Sequence, residues 1–279
     1  MQVKIKFNTH NFGELVTGIT KSELTEIQKN KLEELSLKIK LTEKQSEELS
    51  ALRTKRDAPA QLSETGKKLV EKMFRANVRN TNDLFMDSCQ TRKGNDIENH
   101  SIKRIAKVNG WGICVKSDIV LEDEYGIGHP DVLKAGKLGY DAKSSFTDSS
   151  FPLFQKDLKE TNYIWQAKRY AMMAGLDHWF VCYSLENTPE PIVISEAWKL
   201  WKKGMNDGSP DEDFINEVRK MHTFDHLEDW ERVKTFRIEL TEQDKETVKT
   251  AWKLGNDYYN ELLESYNSKR SENIKLKKI

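Results

Sequence analysis

The sequence predicts an α/β chain, with a helical N-terminal subdomain, a strand-rich core and helical additions at the C-terminal end. Three observations predict it. Over residues 1–90, Leu and Ile recur at three- and four-residue steps within a highly charged stretch, the period of an amphipathic helix. Residues 112–146 instead alternate, and Glu-Tyr-Gly and Ala-Gly-Lys break them as turns break strands. A second helical period, from Asn162 to Leu176, leads into the short apolar run His178–Leu185, the order of a helix followed by a buried strand.

In chain order, the first predicted helix covers Ser22–Ser36, with Leu24, Ile27, Leu32 and Leu35 as its apolar positions. Thr42 with Gln45 has the form of a capping box, each side chain satisfying the other's backbone N–H, and opens a second helix to Arg56. The pair reads as an antiparallel hairpin expected to pack on the main domain. Ser63 reads as the N-cap of a helix to Val78. Asn95–Val108 is a predicted helix whose apolar face is Ile97, Ile102, Ile105 and Ala106. A three-strand antiparallel meander is expected over Ile113–Leu121, Gly126–Leu133 and Leu138–Phe146. Beyond the core, Ser195–Met205 and Pro210–Met221 read as short helices and Lys234–Leu240 as a strand. Thr241 then starts a long helix to Ser268, and the basic tail after it is expected to fray. The expected divisions are residues 1–90, 91–268 and 269–279.

Composition limits the classes of function. The chain has 279 residues, 37% hydrophobic and 32% charged, enough for one large core with a helical annex. No apolar run reaches the roughly 18 residues of a membrane span, and the first residues lack the apolar core of a signal peptide. A cytoplasmic protein without a membrane partner is expected. Cys89, Cys114 and Cys182 have no paired spacing, which fits a reducing compartment and argues against a zinc or iron–sulfur site. The formal net charge is zero, so any contact with nucleic acid must be a local patch.

The chemistry-bearing residues lie between 94 and 170. Glu98 sits on a predicted helix, Asp131 follows Gly128-His129-Pro130, and Asp141 and Lys143 occupy alternate positions of one strand, hence one face. The turn before Asp131 can aim its carboxylate at the next strand, and the helix bearing Glu98 is expected to pack over the same sheet face. Clustered carboxylates repel and raise one another's pKa, a conflict that a divalent cation resolves. Hard oxygen donors hold Mg²⁺ or Mn²⁺, so Glu98, Asp131, Asp141 and the Ala142 carbonyl are the expected ligands. Lys143 beside them can orient a water and offset charge on a phosphoryl oxygen, which together point to phosphodiester hydrolysis. The residues alone leave open a second reading, in which the three acids are unrelated surface groups.

Gly-His-Pro-Asp followed by Tyr-Asp-Ala-Lys resembles the PD-(D/E)xK nuclease superfamily, with Pro130-Asp131 and Asp141-Ala142-Lys143 at the motif positions. The helix bearing the acidic Glu98 and the later Gln166-Ala167-Lys168-Arg169-Tyr170 resemble its RecB-type branch, in which a helix after the core strands carries Gln-x-x-x-Tyr. The spacing is similar to the lambda-exonuclease and YqaJ group of phage recombination nucleases, and Asn11–Gly18 is faintly like an N-terminal stretch of that group. The match covers residues 94–185, and Asp141 stands where the motif usually has Glu, so a shorter side chain must approach the metal more closely. The resemblance implies a restriction-endonuclease-like core, a central mixed sheet flanked by helices. It implies a Mg²⁺-dependent exonuclease acting 5′→3′ on double-strand DNA ends in recombination and repair. A single-strand-annealing protein as partner and a homo-oligomeric ring are further implications. Gln166 would orient the lysine or a phosphate, with Tyr170 one turn on as support. Two alternatives remain: a structure- or site-specific endonuclease of the same fold, and a non-catalytic DNA-binding or assembly protein with a vestigial core.

Other residues carry weaker expectations. His129 reads as part of a turn and His100 as exposed. Trp165, Trp179, Trp198, Trp201, Trp230 and Trp252 read as packing residues ahead of base-stacking ones. Lys67, Lys68, Lys72, Arg75 and Arg79, with Arg92 and Lys93, are either phosphate contacts or a solvated helix face. Thr17, Lys21 and Arg92 are candidates to grip a terminal 5′-phosphate.

Overall fold

The structure, a computed structural model, describes residues 2–22, 24–81, 87–134 and 137–276. Its first elements are β1 (Phe7–Asn8), α1 (Phe12–Ser22), α2 (Glu26–Leu37), α3 (Glu43–Asp57), α4 (Glu64–Arg79) and α5 (Cys89–Val108). Then come β2 (Leu121–Glu122), β3 (Gly126–Gly128), β4 (Val132–Lys134), β5 (Leu138–Ser144), α6 (Thr161–Ala174) and β6 (His178–Ser184). The chain ends with α7 (Glu190–Lys203), α8 (Glu212–Lys220), β7 (Val233–Glu239) and α9 (Glu242–Leu276). One unit comprises Met1–Asn82, Asp123–Gly126 and Thr241–Ile279, the other Asp83–Glu122 and Ile127–Leu240.

In the first unit, α1 buries Phe12, Leu15, Val16 and Ile19 on one helical stripe and packs on α4, which buries Leu69, Val70 and Phe74, and on α9, which buries Val248 and Ala251. The sequence reading missed α1 because Gly13 and Gly18 interrupt its pattern. Gly18 is there for clearance, since a Cβ would come within 2.2 Å of the Ser63 nitrogen. The hairpin of α2 and α3 starts each helix with a capping box, Thr25 with Gln28 and Thr42 with Gln45. Its core is Leu24, Leu32, Leu35, Leu49 and Leu52. The Thr25 box begins α2 later than Ser22, and Ile27 faces solvent rather than the hairpin core. Ser63 caps α4 as expected. The basic tail is helical through Leu276, and its last residues, 277–279, lie outside the described residues.

The second unit is built on a four-stranded sheet in the order β4-β5-β6-β7. β4 runs antiparallel to β5 (Val132↔Tyr140), β5 parallel to β6 (Asp141↔Val181), and β6 antiparallel to β7 (Val181↔Phe236). A parallel pair needs a long crossover, and α6 supplies it between β5 and β6. Alternation sorts the two faces. Tyr140 and Cys182 pack with Ile102, Ile105 and Ala106 of α5, while Trp179, Val181 and Phe236 pack with Ala167, Tyr170 and Ala171 of α6. This is the central mixed sheet flanked by helices.

The expected meander needs correction. Only Leu121 and Glu122 of its first strand pair with β3, and Ile113 and Val115 are 87% and 70% exposed. The second strand divides into β3 and β4 at His129-Pro130-Asp131, where proline has no N–H to give a ladder. The Ala135-Gly136 part of the expected turn before β5 lies outside the described residues. α5 starts earlier than Asn95, because the Ser88 side chain caps it by accepting the Thr91 N–H. α7 likewise starts before Ser195, at Glu190.

Candidate active site

β5 sets the geometry. Its alternation turns Tyr140 and Ala142 toward α5 and leaves Gly139, Asp141 and Lys143 on the α6 face. Asp131, immediately before β4, stands beside them, and its Oδ2 accepts the Ala142 backbone N–H at 2.8 Å. The carboxylate thus takes over as acceptor where the β4 ladder has stopped.

Asp141 is 1% exposed, and its Oδ2 has no hydrogen-bond partner. The indole N–H of Trp179 lies beside it without making a hydrogen bond. Burial raises the pKa of both carboxyls above the ordinary aspartate range. The Asp141 charge raises Asp131 further, and Lys143 with the Ala142 N–H partly offsets this.

Lys143 is held from α6. Its Nζ donates to Gln166 Oε1 at 3.2 Å and lies 4.7 Å from the centroid of the Tyr163 ring. Tyr170 donates its hydroxyl to the His129 carbonyl at 2.8 Å, which pins the turn that presents Asp131. Burial raises the Tyr170 phenol, so this donor keeps its proton. Tyr163, Gln166 and Tyr170 fall on one face of α6. The sequence reading paired the last two and missed Tyr163, which was legible as the residue one turn earlier.

Glu98 is placed differently from the expectation. α5 packs on the Tyr140 face, opposite Asp141 and Lys143, and the Glu98 carboxylate forms an ion pair with Lys116. Its charge still raises Asp131 and Asp141. Among the described residues, no three His, Cys, Asp or Glu side chains stand together as a metal-holding group. The structure brings together Asp131, Asp141, Lys143, Gln166 and Tyr170, with Ala142 entering through its backbone and Glu98 close enough for its charge to act on both aspartates. Lys116 had no periodic signal in the sequence.

Lys93 is neither a phosphate contact nor part of a solvated helix face, the two expectations for it, but a core residue. It is 0% exposed, and its Nζ donates to the Ser145 and Phe146 carbonyls at 2.8 and 3.0 Å. Arg92 reaches Cys89 Sγ at 3.2 Å, and the Thr17 hydroxyl donates to the Gly13 carbonyl at 2.7 Å within its own helix. The Lys21 side chain lies outside the described residues. Lys67 and Arg75 pair with Glu64 and Glu71 along α4. His100 and His129 are exposed, Trp165 and Trp179 are buried, and Trp198 and Trp230 are exposed.

A mixed sheet with α5 and α6 on its faces is a fold this chain shares with solved exonucleases. The chain is similar to a phage-related exonuclease from Haemophilus somnus 129PT at 18% identity and a TM-score of 0.63, over 95% of this chain and 97% of that one. It is also similar to LHK-Exo, an alkaline exonuclease from Laribacter hongkongensis, at 10% identity and a TM-score of 0.56, over 96% of this chain and 94% of that one. A second LHK-Exo structure, in complex with dAMP, matches to the same extent. At these identities the likeness establishes a shared fold, and the α/β restriction-endonuclease-like architecture expected from the sequence is the one observed. No family model and no curated protein sequence matches the chain.

Proposed function

We propose that this protein is a Mg²⁺-dependent DNA exonuclease. The observation that carries the reading is the buried Asp141 carboxylate, one oxygen without a partner, set beside Asp131 and Lys143. Two carboxylates side by side, Asp141 fully buried and Asp131 half-buried, are costly unless a cation offsets them. Asp131, Asp141, the Ala142 carbonyl and Glu98 are hard oxygen donors that would hold Mg²⁺ or Mn²⁺, with Glu98 released from Lys116 to join them. When bound, the cation supplies the Lewis acidity that phosphodiester hydrolysis needs.

The chain's own groups do the rest. Lys143 orients the attacking water and donates to the phosphoryl oxygen on which charge builds. Gln166 fixes the lysine through its Oε1, and Tyr170 holds the turn that aims Asp131. The shared fold with exonucleases, one of them in complex with dAMP, supports DNA as substrate and attack from an end. The sequence resemblance supports the finer reading: 5′→3′ resection of double-strand ends in recombination, by a homo-oligomeric ring in the cytoplasm beside a single-strand-annealing protein. No helix among the described residues is long and apolar enough to cross a membrane.

The test is degradation of end-labelled linear duplex beside a closed circle, with Mg²⁺, by wild type and Lys143→Ala. Loss of the linear substrate alone, abolished by the substitution, is the expected result. Cutting of the circle moves the protein to the endonuclease reading. No cutting of either by folded protein refutes the catalytic reading.

A further inference from the structure

Tyr163 lies near the start of α6 with its ring centroid 4.7 Å from the Lys143 ammonium nitrogen. Tyr183 braces it from β6, ring centroids 6.5 Å apart at 64°, and Tyr183 is the residue in register with Lys143 across the parallel pair. Tyr183 stands edge-on to Phe236 at 6.0 Å in turn. The ring over the lysine is thus backed by the same sheet that carries the lysine.

A lysine ammonium has three N–H donors on a flexible four-carbon stem, and one hydrogen bond leaves it several orientations. Here one donor goes to Gln166 Oε1 at 3.2 Å, and an aromatic face covers a second side. The ring attracts the charge through its quadrupole, so the contact needs the π-face and not the phenol hydroxyl. The ammonium charge acts on Asp131 and Asp141.

We propose that Tyr163 is a positioning residue, whose ring face holds the Lys143 ammonium so that its remaining N–H faces the attacking water and the scissile phosphate. The role rests on the nuclease reading above. It acts on the chemical step, because the distance at risk is that between the amine and the reacting atoms.

The experiment uses the full chain with Mg²⁺ and linear duplex, comparing Tyr163→Phe, Tyr163→Leu and a series of fluorinated phenylalanines at position 163. Phe should keep kcat within about twofold, while Leu should lower it about tenfold with KM little changed. Progressive fluorination depletes the ring face without altering its shape, so kcat should fall stepwise. A parallel NMR measurement on the metal-free protein, assigned with Lys143→Arg, should find the Lys143 Hε protons shifted upfield in wild type and not in Tyr163→Leu. If Tyr163→Leu keeps wild-type kcat, the proposal is overturned and the nuclease reading stands. Equal losses in Phe and Leu also overturn it, as they trace the effect to the hydroxyl. Should Leu fail to fold, a flat fluorination series overturns it just as well. A wild type that shows the ring-current shift but cuts nothing ends the nuclease reading, and the role with it.

Discussion

Replacing Lys93 with methionine should change how the stability of this protein depends on pH, in a direction that burial dictates. The Lys93 amine is fully buried on α5, bonded to the Ser145 and Phe146 carbonyls just past β5, with the Phe146 and Phe224 ring centroids at 5.8 and 5.4 Å. Burial dominates its titration and pulls it down from 10.5 to about 7, with Glu186 opposing the shift and Arg232 adding to it. The unfolded chain keeps the ordinary lysine value. Between about pH 7 and 10.5 the unfolded chain therefore binds a proton that the folded chain does not, and stability rises with pH across that window. Each pH unit well inside it is worth about 1.4 kcal/mol, so the gain from pH 7.5 to 9.5 is about 2–3 kcal/mol. Lys93→Met retains most of the stem and removes the titration. It also removes the donor to the buried Ser145 carbonyl and to the half-buried Phe146 carbonyl, a pH-independent cost of about 1–3 kcal/mol. Urea unfolding of both proteins at steps from pH 7 to 10 isolates the Lys93 contribution, because other titrations cancel in the difference. The difference should widen in favour of wild type as pH rises. A difference that stays flat across the window refutes the buried, easily deprotonated amine.

Two further perturbations test the core and the acid pair. A Cβ at Gly139 would come within 1.9 Å of the fully buried Trp179 ring, so Gly139→Ala should cost about 1–3 kcal/mol or more and lower the urea midpoint; an unchanged midpoint contradicts that packing. Asp131→Asn keeps an oxygen for the Ala142 N–H and removes one of two charges whose ionisation the fold opposes. A carboxyl with a raised folded pKa favours the fold at low pH and loses that contribution as pH rises through the folded value. The metal-free variant should therefore melt above wild type at pH 8, and the two should converge on acidification. Mg²⁺ should raise the wild-type melting temperature in a saturating way and leave the variant unmoved, and equal shifts in both would remove Asp131 from the ligand set.

Near neighbours in the chain settle part of this site before any packing. Asp141 and Lys143 share a face of any strand they form, and Gln166 and Tyr170 share a face of any helix. The Thr42–Gln45 capping box and the Ser63 cap act within one turn, so both were legible before any packing was known. Tertiary structure decided what those faces meet. The packing of Tyr140 and Cys182 on Ile105 put α5 on the far side of the sheet from Asp141, and left Glu98 paired with Lys116. Lys93 read as surface because a lysine is seldom buried, and only the fold brings it the carbonyls at 145 and 146. Ile113 and Val115 alternate like strand residues, yet a strand needs a partner ladder, and Pro130 helped remove the continuous one. The Thr241–Ile279 segment joins the N-terminal helices in one unit although the whole core lies between them in the chain. Caps and face periodicity are settled within a few residues, whereas burial, ion pairing and strand partnership depend on groups far apart in sequence that only the folded chain brings into contact.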